Sequence, residues 1–396
     1  MRVLVNTLTV EGPRTGIGHY TSELVRALRQ FQGDEAVGTF PGGLLRRARA
    51  AWAGAQKSGQ AGSSSGMGGR ARQAVRGKVV ELARRCGCTL IRASFRRTAG
   101  RGGFDLYHEP NYIPLECELP TVASVHDLSA ILHPEWHPAD RAKHFEKHFL
   151  PGLKRCQHLV AISEFGKGEI VRHLGWPAER VTVTYMGVRP GLLRVQGEEL
   201  AESLRALGLS AGYLLHVGTL EPRKNVLMLM KAYCTLPAAV RSRCPLVLAG
   251  GRGWNSDDAH DFLHNQARHK NVRWLGYVPE ARFAALYSGA RALLFPTFYE
   301  GFGMPTIEMM ATGGAVIASS AGAVAETAGP RACLLDPLDA DAWHAAMLKA
   351  ATDDDWIQSL ARGGEEAARP FSWERCAEST WQAYLRLARP TAHRAA

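Results

Sequence analysis

The sequence predicts an α/β protein built from two doubly wound parallel sheets that face one another. Short buried apolar runs of strand length alternate with helical patterns through both halves of the chain. Several of these runs end in a glycine or a polar loop, as strands do where an open α/β sheet binds its ligand. The length of 396 residues suits two domains of ordinary size.

The first half contains five predicted strands, at residues 2–6, 105–108, 121–125, 158–162 and 182–185. The first strand leads into a loop with Gly16 and Gly18, and a helix with apolar residues at helical spacing follows. A Gly-x-Gly between strand and helix either lets the backbone approach a ligand or is a connecting turn. The third glycine of the dinucleotide fingerprint and its acidic partner are lacking, so we exclude a nicotinamide cofactor.

A histidine directly follows one of these strands. His126 comes after the predicted strand at 121–125, and carboxyl ends of strands border the ligand crevice in such sheets, which predicts a functional role for it. Ser163 and Glu164 form a helix-start signal after the next strand. Beyond the fifth strand we expect a linker that extends to about residue 208.

The second half repeats the pattern, with predicted strands at 213–217, 246–249, 272–275, 292–295 and 316–319 and helices from about 226 and at 340–351. Gly218 opens the loop after the first of these strands, and Arg223 and Lys224 lie further along it. A guanidinium and an ammonium at a strand's carboxyl end suit a diphosphate, although a solvated pair of cations is the alternative.

The segment EGFGMPTIE at residues 300–308 predicts an anion-binding turn. An apolar strand leads into this glycine-bearing loop, and a helix start leads out of it, so free N–H groups and a positive dipole end lie together. Pro305 suits the first helical position, where its missing N–H has no cost. Glu300 and Glu308 bracket the turn and could accept hydrogen bonds from sugar hydroxyls. The alternative is a surface loop with a solvated glutamate at each end.

Composition narrows the class of protein. The chain is 46% hydrophobic and 21% charged, which is typical of a soluble globular protein. Its eight scattered cysteines fit reduced thiols better than a disulfide framework. The N-terminal apolar run is too short for a signal peptide, and no run of about 18 apolar residues occurs. We therefore expect a cytoplasmic protein, with any membrane contact peripheral and on the inner face of the cell membrane.

The positive charge is concentrated in one insertion. Residues 41–104 contain 14 lysines and arginines against one acidic residue, whereas the rest carries 34 basic and 36 acidic residues. Residues 41–70 are rich in glycine, alanine, serine and arginine, which predicts poor order. Residues 71–86 have the spacing of a basic amphipathic helix, which predicts binding to an anionic membrane surface. A solvated insertion without a partner stays open. A nucleic-acid partner is excluded, since no ladder of basic and aromatic residues occurs.

Several motifs together resemble one known family. The segments GIGHY, VHDLS, HPEW, AISEFGKGEI, GTLEPRKN, LGYV, EGFGMPTIE and FSWE are similar to those of the retaining nucleotide-sugar glycosyltransferases of family four, which have the GT-B fold. They occur in the family's order and cover nearly the whole chain outside 41–104. The resemblance implies an N-terminal acceptor-binding domain at 1–190, a donor-binding domain at 191–370, and a C-terminal helix at 371–396 that crosses back to the first domain.

The resemblance also implies a role for each motif residue. Arg223 and Lys224 would neutralise the donor diphosphate, while Glu300 and His126 would hold the transferred sugar. Glu308 would bind the ribose hydroxyls. The implied catalytic residues are thus His126, Arg223, Lys224 and Glu300. The other implied donor contacts, mostly through backbone groups, are Gly16, Gly18, Gly218, Tyr277, Val278, Gly301, Phe302, Gly303, Met304, Pro305, Thr306 and Ile307.

The mechanism implied is front-face substitution, in which the leaving diphosphate takes the acceptor's proton and no protein carboxylate attacks. Neither a cofactor nor a metal is required. Asp339 and Asp341 resemble a metal-binding pair, but Asp339 is more simply a helix N-cap. Thr219 followed by PRKN suits the subgroup that uses mannose-type donors, so we expect GDP-mannose as the donor and a glycan or lipid-linked saccharide as the acceptor. A UDP-sugar donor (glucose, galactose or N-acetylglucosamine) and a non-catalytic binding protein recruited through its basic insertion are the alternatives. The effect of Gly313-Gly314, where relatives usually have a small residue and a proline, stays open.

Overall fold

The structure is a computed structural model that describes residues 1–11, 16–42 and 89–388. The predicted basic helix at 71–86 lies outside the described residues, as does nearly all of the segment 41–70. The described chain contains two six-stranded parallel sheets with helices around them. Contacts divide it into two compact units: Met1–Val125, His148–Val160 and Ala377–Ala396 form the first, and His126–Lys147 and Ala161–Cys376 the second.

The first sheet has the strand order β2-β1-β3-β4-β5-β6. Its strands are β1 (Val3–Asn6), β2 (Val37–Phe40), β3 (Leu106–Glu109), β4 (Thr121–Val125), β5 (His158–Ala161) and β6 (Val181–Val183). The central strands β1, β3, β4 and β5 are buried along their whole length. Burial on both faces explains their continuous apolar character, since helices cover parallel sheets on both sides.

The second sheet has the order β12-β11-β10-β7-β8-β9. Its strands are β7 (Tyr213–Val217), β8 (Leu246–Ala249), β9 (Val272–Gly276), β10 (Ala290–Phe295), β11 (Ala315–Ser319) and β12 (Cys333–Leu335). Strands β7 and β10 are neighbours, with Leu215 paired to Leu293. Their carboxyl ends therefore bring two loops of distant sequence to one edge of the sheet.

The helices that accompany the sheets differ widely in length. The described α-helices are α1 (Gly16–Gln32), α2 (residues 89–101), α3 (Ser129–Leu132), α4 (Ala139–Leu153), α5 (Glu164–Leu174), α6 (Gly197–Arg205), α7 (Val226–Cys234), α8 (Ala238–Arg243), α9 (Asp257–Asn265), α10 (Phe283–Ser288), α11 (Met304–Ala311), α12 (Val324–Ala328), α13 (Ala340–Thr352), α14 (Asp354–Ala361), α15 (Gly364–Ala368) and α16 (Trp373–Ala388). Short 3-10 helices lie at Leu8–Glu11, Asp34–Ala36, Pro134–Trp136, Ala178–Arg180, Pro222–Lys224, Ala267–Lys270, Glu280–Arg282 and Gly329–Arg331. No helix in these described ranges is long and apolar enough to cross a bilayer.

Apolar packing holds the second sheet against its helices. Leu214, Leu246, Leu294 and Ile317 come from four different strands and pack in one core with Trp343 of α13. All five side chains are completely buried. The smaller core of the first unit joins Leu4, Phe40, Phe95 and Tyr107. Because such cores resist displacement, the loops at the strand ends have a fixed base.

Most predicted elements agree with the structure, and the differences have local causes. The predicted N-cap residues are confirmed: Ser163 accepts from Gly166 N at 2.9 Å, and Asp339 accepts from Ala342 N at 2.9 Å. The predicted linker before residue 208 is wrong in part, since it contains α6. That helix is rich in glutamate and has one fully buried apolar side chain, Leu204, so its pattern is weak. Strands β2 and β12 were missed because both are edge strands that are only partly buried, so neither has a continuous apolar run. The six described cysteines are free.

Candidate functional site

Backbone hydrogen bonds tie together the two loops that follow β7 and β10. The carbonyl oxygen of Arg223 accepts from the backbone N–H of Phe298 at 2.8 Å and from Thr297 Oγ1 at 2.9 Å. Arg223 and Lys224 belong to the 3-10 helix Pro222–Lys224, and Glu300 lies two residues after Phe298. The loop-to-loop bonds therefore hold the two cations beside this carboxylate.

The side chains of these loops form a buried ion cluster. Arg223 Nη1 donates to Glu300 Oε2 at 2.8 Å, and Lys224 Nζ donates to Glu300 Oε1. Thr297 Oγ1, whose one proton is shared with the Arg223 carbonyl, lies 3.0 Å from the same Oε1, while Arg223 Nε pairs with Glu221 Oε1 at 2.7 Å. Glu221, Lys224 and Glu300 are each at least nine-tenths buried. Each charge of such a buried ion pair depends on its partner, because a buried charge without a counter-charge is strongly destabilising.

The cluster keeps its carboxylate ionised. Burial alone would raise the pKa of Glu300, but the charges of Arg223 and Lys224 outweigh it and lower that pKa to about 2. Burial lowers the pKa of the Lys224 ammonium, which Glu300 opposes. Burial also acts to lower the pKa of Arg223, yet Glu300 and Glu221 raise it above its ordinary value. Within the described residues Arg223 Nη2 has no hydrogen-bond partner, so this nitrogen can still bind a ligand.

A helix begins directly beside this cluster. Gly303 precedes α11 with φ 102°, a backbone conformation that favours glycine, and no side chain caps the helix. Thr306 Oγ1 donates back to the Gly303 carbonyl at 2.7 Å, and Pro305 has no N–H to satisfy. The Thr306 N–H already bonds to the Gly303 carbonyl at 3.0 Å, so the Met304 N–H and the positive end of the helix dipole are left to receive an anion.

Glu308 lies one turn inside that helix and is almost completely buried. Arg189 Nε donates to its Oε1 at 3.1 Å, and the Tyr287 hydroxyl donates to its Oε2 at 2.7 Å. The Arg189 guanidinium lies over the Phe283 ring, 4.3 Å from its centroid. Burial and the Glu308 charge raise the pKa of Tyr287 well above its ordinary value, so its hydroxyl stays a donor. Each carboxylate oxygen of Glu308 keeps capacity for a further hydrogen bond.

His126 belongs to the same unit and approaches the Glu300 loop closely. A Cβ built on Gly301 would lie 1.8 Å from the His126 carbonyl oxygen, so only glycine fits there. Ser163 Oγ donates to the Gly301 carbonyl at 2.8 Å, and the Leu128 N–H donates to the Tyr299 hydroxyl at 3.1 Å. The structure thus brings Glu300, Arg223 and Lys224 together and places the backbone of His126 against the adjacent Gly301, while their roles in donor binding stay a prediction.

The remaining predicted donor residues divide into two groups. Gly218 directly follows β7, and Tyr277 and Val278 follow β9, so all three lie at strand ends of the second sheet. Tyr277 is exposed, whereas Val278 is buried. The side chains of Phe302 and Ile307 are buried, and the Phe302 carbonyl already accepts from Thr327 Oγ1 at 2.8 Å. Gly16 and Gly18 lie at the start of α1 in the first unit, and their contribution to the donor site stays a prediction.

The sequence reasoning missed Arg189 and Tyr287, which hold Glu308, and Thr297 and Glu221, which complete the ion cluster. Arg189 follows Gly187 and Val188 in what was interpreted as the start of a linker. Tyr287 lies in the short helix α10. A tyrosine in a helix otherwise made of small and apolar residues is the one signal that could have indicated a buried partner.

Comparison with known proteins shows which family this chain belongs to. The model of "Glycosyltransferase Family 4" matches residues 14–192, and that of "Glycosyl transferases group 1" matches residues 207–369. The chain belongs to the group 1 glycosyltransferases of family 4, and it has their GT-B fold. The predicted family, the predicted fold class and the prediction of a glycosyltransferase enzyme are thereby confirmed.

Individual relatives extend the similarity over the whole chain. The O-antigen chain mannosyltransferase B of Escherichia coli is 33% identical over 392 residues, 98% of this chain and 100% of that protein. The serotype-specific mannosyltransferase WbdA of Escherichia coli is 26% identical over 277 residues, 67% of this chain but 33% of that longer protein. The structure of Anabaena HepE in complex with UDP and glucose superposes with a TM-score of 0.69 at 18% identity, covering 97% of this chain and 99% of that one.

Proposed function

We propose that this enzyme is a retaining mannosyltransferase that transfers mannose from GDP-mannose to a glycan or lipid-linked saccharide during polysaccharide assembly. The observation that carries the proposal is the buried cluster of Arg223, Lys224 and Glu300 beside the uncapped start of α11. Similarity to an O-antigen chain mannosyltransferase over the full length supports mannose as the sugar and a polysaccharide as the product.

The donor diphosphate would bind between the cations and the helix start. Arg223 Nη2 and the remaining protons of the Lys224 ammonium would donate to phosphate oxygens, and the Met304 N–H at the start of α11 would add to them. Glu300 and Glu221 neutralise the two cations before a ligand enters. The negative diphosphate therefore competes with these carboxylates for the two cations. The hydrogen-bond donors are already in place, so the loops need not rearrange to bind the diphosphate.

The two glutamates of the turn would hold the two sugars of the donor. Glu300 stays ionised and would accept hydrogen bonds from the transferred hexose, with His126 beside it. Glu308, oriented by Arg189 and Tyr287, would accept from the ribose hydroxyls. Arg189 is thus a positioning residue, since it acts on the nucleotide through Glu308.

The proposed reaction proceeds on one face of the sugar. The bond between the anomeric carbon and the diphosphate oxygen breaks, the acceptor oxygen attacks from the same side, and its proton passes to the leaving diphosphate. Negative charge grows on that diphosphate as the bond breaks, and Arg223 and Lys224 stabilise it more in the transition state than in the ground state. Because these two cations supply the positive charge, we propose that the reaction needs no metal ion and no other cofactor.

The acceptor side of the proposal involves the basic insertion. A lipid-linked acceptor would lie at an anionic bilayer, to which the positive charge of residues 41–104 is complementary. Sedimentation with anionic liposomes at low salt tests this part. We expect liposome binding to be lost when the insertion is removed or when salt screens its charge. Absence of sedimentation at low salt would contradict peripheral membrane association.

A thermal-shift screen with GDP, UDP, ADP and their sugars tests the donor. GDP and GDP-mannose should raise the unfolding temperature, since a ligand that binds only the native state stabilises it by mass action. The bound UDP in the Anabaena structure favours a UDP-sugar as the second candidate, and a selective shift with UDP would support it instead. Proton NMR of the product then reads the anomeric configuration, and an inverted configuration would refute the retaining mechanism.

A further inference from the structure

A cluster of aromatic rings lies next to the Glu300 loop, within the second unit. Trp136 stacks on His133 with ring centroids 3.9 Å apart and planes within 14°. Phe298 lies nearly parallel to Trp136, at 6.2 Å and 23°, and Trp254 Nε1 donates to the Trp136 carbonyl at 2.7 Å. Trp136, Trp254 and Phe298, here called the aromatic platform, are each only half-buried. Large rings therefore keep accessible apolar surface at this place.

The aromatic platform is continuous with the catalytic cluster. Phe298 donates its backbone N–H to the carbonyl of Arg223, and it precedes Glu300 by two residues. The ring of Trp136 lies 6.4 Å from the ring of Tyr299, the residue between Phe298 and Glu300. The platform therefore begins at the end of the site where the transferred sugar would lie, and not at the base-binding end near Tyr277.

Polar groups border the aromatic rings. His137 is buried, its ring lies 6.1 Å from that of Trp254, and its Nε2 bonds to Ser129 Oγ at 3.0 Å. Its Nδ1 is buried and has no hydrogen-bond partner within the described residues. The guanidinium of Arg141 lies over the Trp254 ring at 5.3 Å. A ligand with both an apolar face and hydroxyl groups can use these rings and polar groups together.

We propose that the aromatic platform binds the acceptor saccharide and holds its terminal sugar toward the donor. A pyranose presents one face of C–H groups, whose partial positive charge complements the negative face of an aromatic ring. Its hydroxyls need polar partners, and the guanidinium of Arg141 over the Trp254 ring provides one. The proposal rests on the proposed function, because it takes the hexose of the donor to lie at Glu300. The proposal goes beyond the proposed function because it names the surface that selects the acceptor.

The test replaces the rings and separates acceptor binding from donor binding. Trp136→Leu and Trp254→Leu should each raise the acceptor KM at least about tenfold. The GDP affinity and the slow hydrolysis of GDP-mannose to free mannose should not change. Trp136→Tyr keeps an aromatic face and should recover most of the affinity. Trp356→Leu is the matched control, since this half-buried tryptophan lies on α14 beneath Lys349 and should leave the acceptor KM unchanged.

A second measurement keeps the test valid if a variant folds poorly. Titration of the wild-type enzyme with mannobiose and mannotriose should quench tryptophan fluorescence, and Trp254→Phe should reduce the change. An unaltered acceptor KM in both folded leucine variants, or an equal loss of GDP affinity, would overturn the proposal. Absence of GDP binding by the wild-type enzyme would instead refute the proposed function, so the two failures are distinguishable.

Discussion

Lys224→Met removes one cation from the cluster while leaving the rest of it intact. Lys224 Nζ lies 5.1 Å from the Phe295 ring centroid, so a methionine side chain can occupy the same space against that ring. Glu300 keeps its bond from Arg223 at 2.8 Å. The carboxylate therefore stays paired, and we expect the unfolding temperature to fall by no more than about 4 °C.

Catalysis should suffer far more than folding. Loss of one preorganised donor to a developing anion typically raises the barrier by about 2.7–4 kcal/mol. Each 1.4 kcal/mol is about tenfold in rate, so kcat should fall by about 100- to 1000-fold. The diphosphate also loses part of its ground-state binding, so the donor KM should rise as well.

The assay measures GDP release with saturating acceptor and runs thermal unfolding on the same preparations. Lys231→Met is the matched control, because Lys231 is exposed on α7 and lies 6.0 Å from the Phe262 ring. The control should keep wild-type activity. If folded Lys224→Met enzyme transfers mannose within about threefold of the wild-type rate, Lys224 does not stabilise the leaving diphosphate.

Three further substitutions test the surroundings of the cluster. Arg189→Ala removes the guanidinium that orients the buried carboxylate of Glu308. GDP affinity should then fall about tenfold, whereas unchanged affinity in calorimetric titration would contradict the role of Arg189. Glu300→Gln should lower the free energy of unfolding by about 3 kcal/mol, since the pKa of Glu300 falls from 4.5 to about 2 on folding. Urea unfolding should show the full difference above pH 4.5 and its loss as the pH falls through about 2; a constant difference would refute the charge argument. Gly301→Ala places a Cβ 1.8 Å from the backbone carbonyl oxygen of His126. The rate of mannose transfer should therefore fall about 100-fold. The exposed Gly168→Ala is its control, and equal kinetics of both variants would contradict the close approach.

The sequence predicted the second sheet and its loops well because those signals are local. A buried strand that ends in Gly218, or a glycine turn followed by Pro305, can be predicted from a few neighbouring residues. Arg223, Lys224 and Glu300 could also be named, because they lie within recognisable motifs, whereas Glu221 was missed.

The partners that complete the site depend on contacts distant in sequence. Arg189 and Glu308 are 119 residues apart, and nothing near either residue indicates that they meet. Arg223 and Glu300 are 77 residues apart, and their direct pairing follows from the adjacency of β7 and β10 in the sheet order. The helix α6 was missed for another reason, since its charged sequence buries little apolar surface.

A crystal structure of the enzyme with GDP tests the central claim most directly, because it locates the diphosphate itself. We expect the β-phosphate within hydrogen-bond distance of Arg223 and Lys224, and the ribose hydroxyls on the carboxylate of Glu308. Full occupancy of GDP with its diphosphate elsewhere, and the pairs around Glu300 unchanged, would contradict this account.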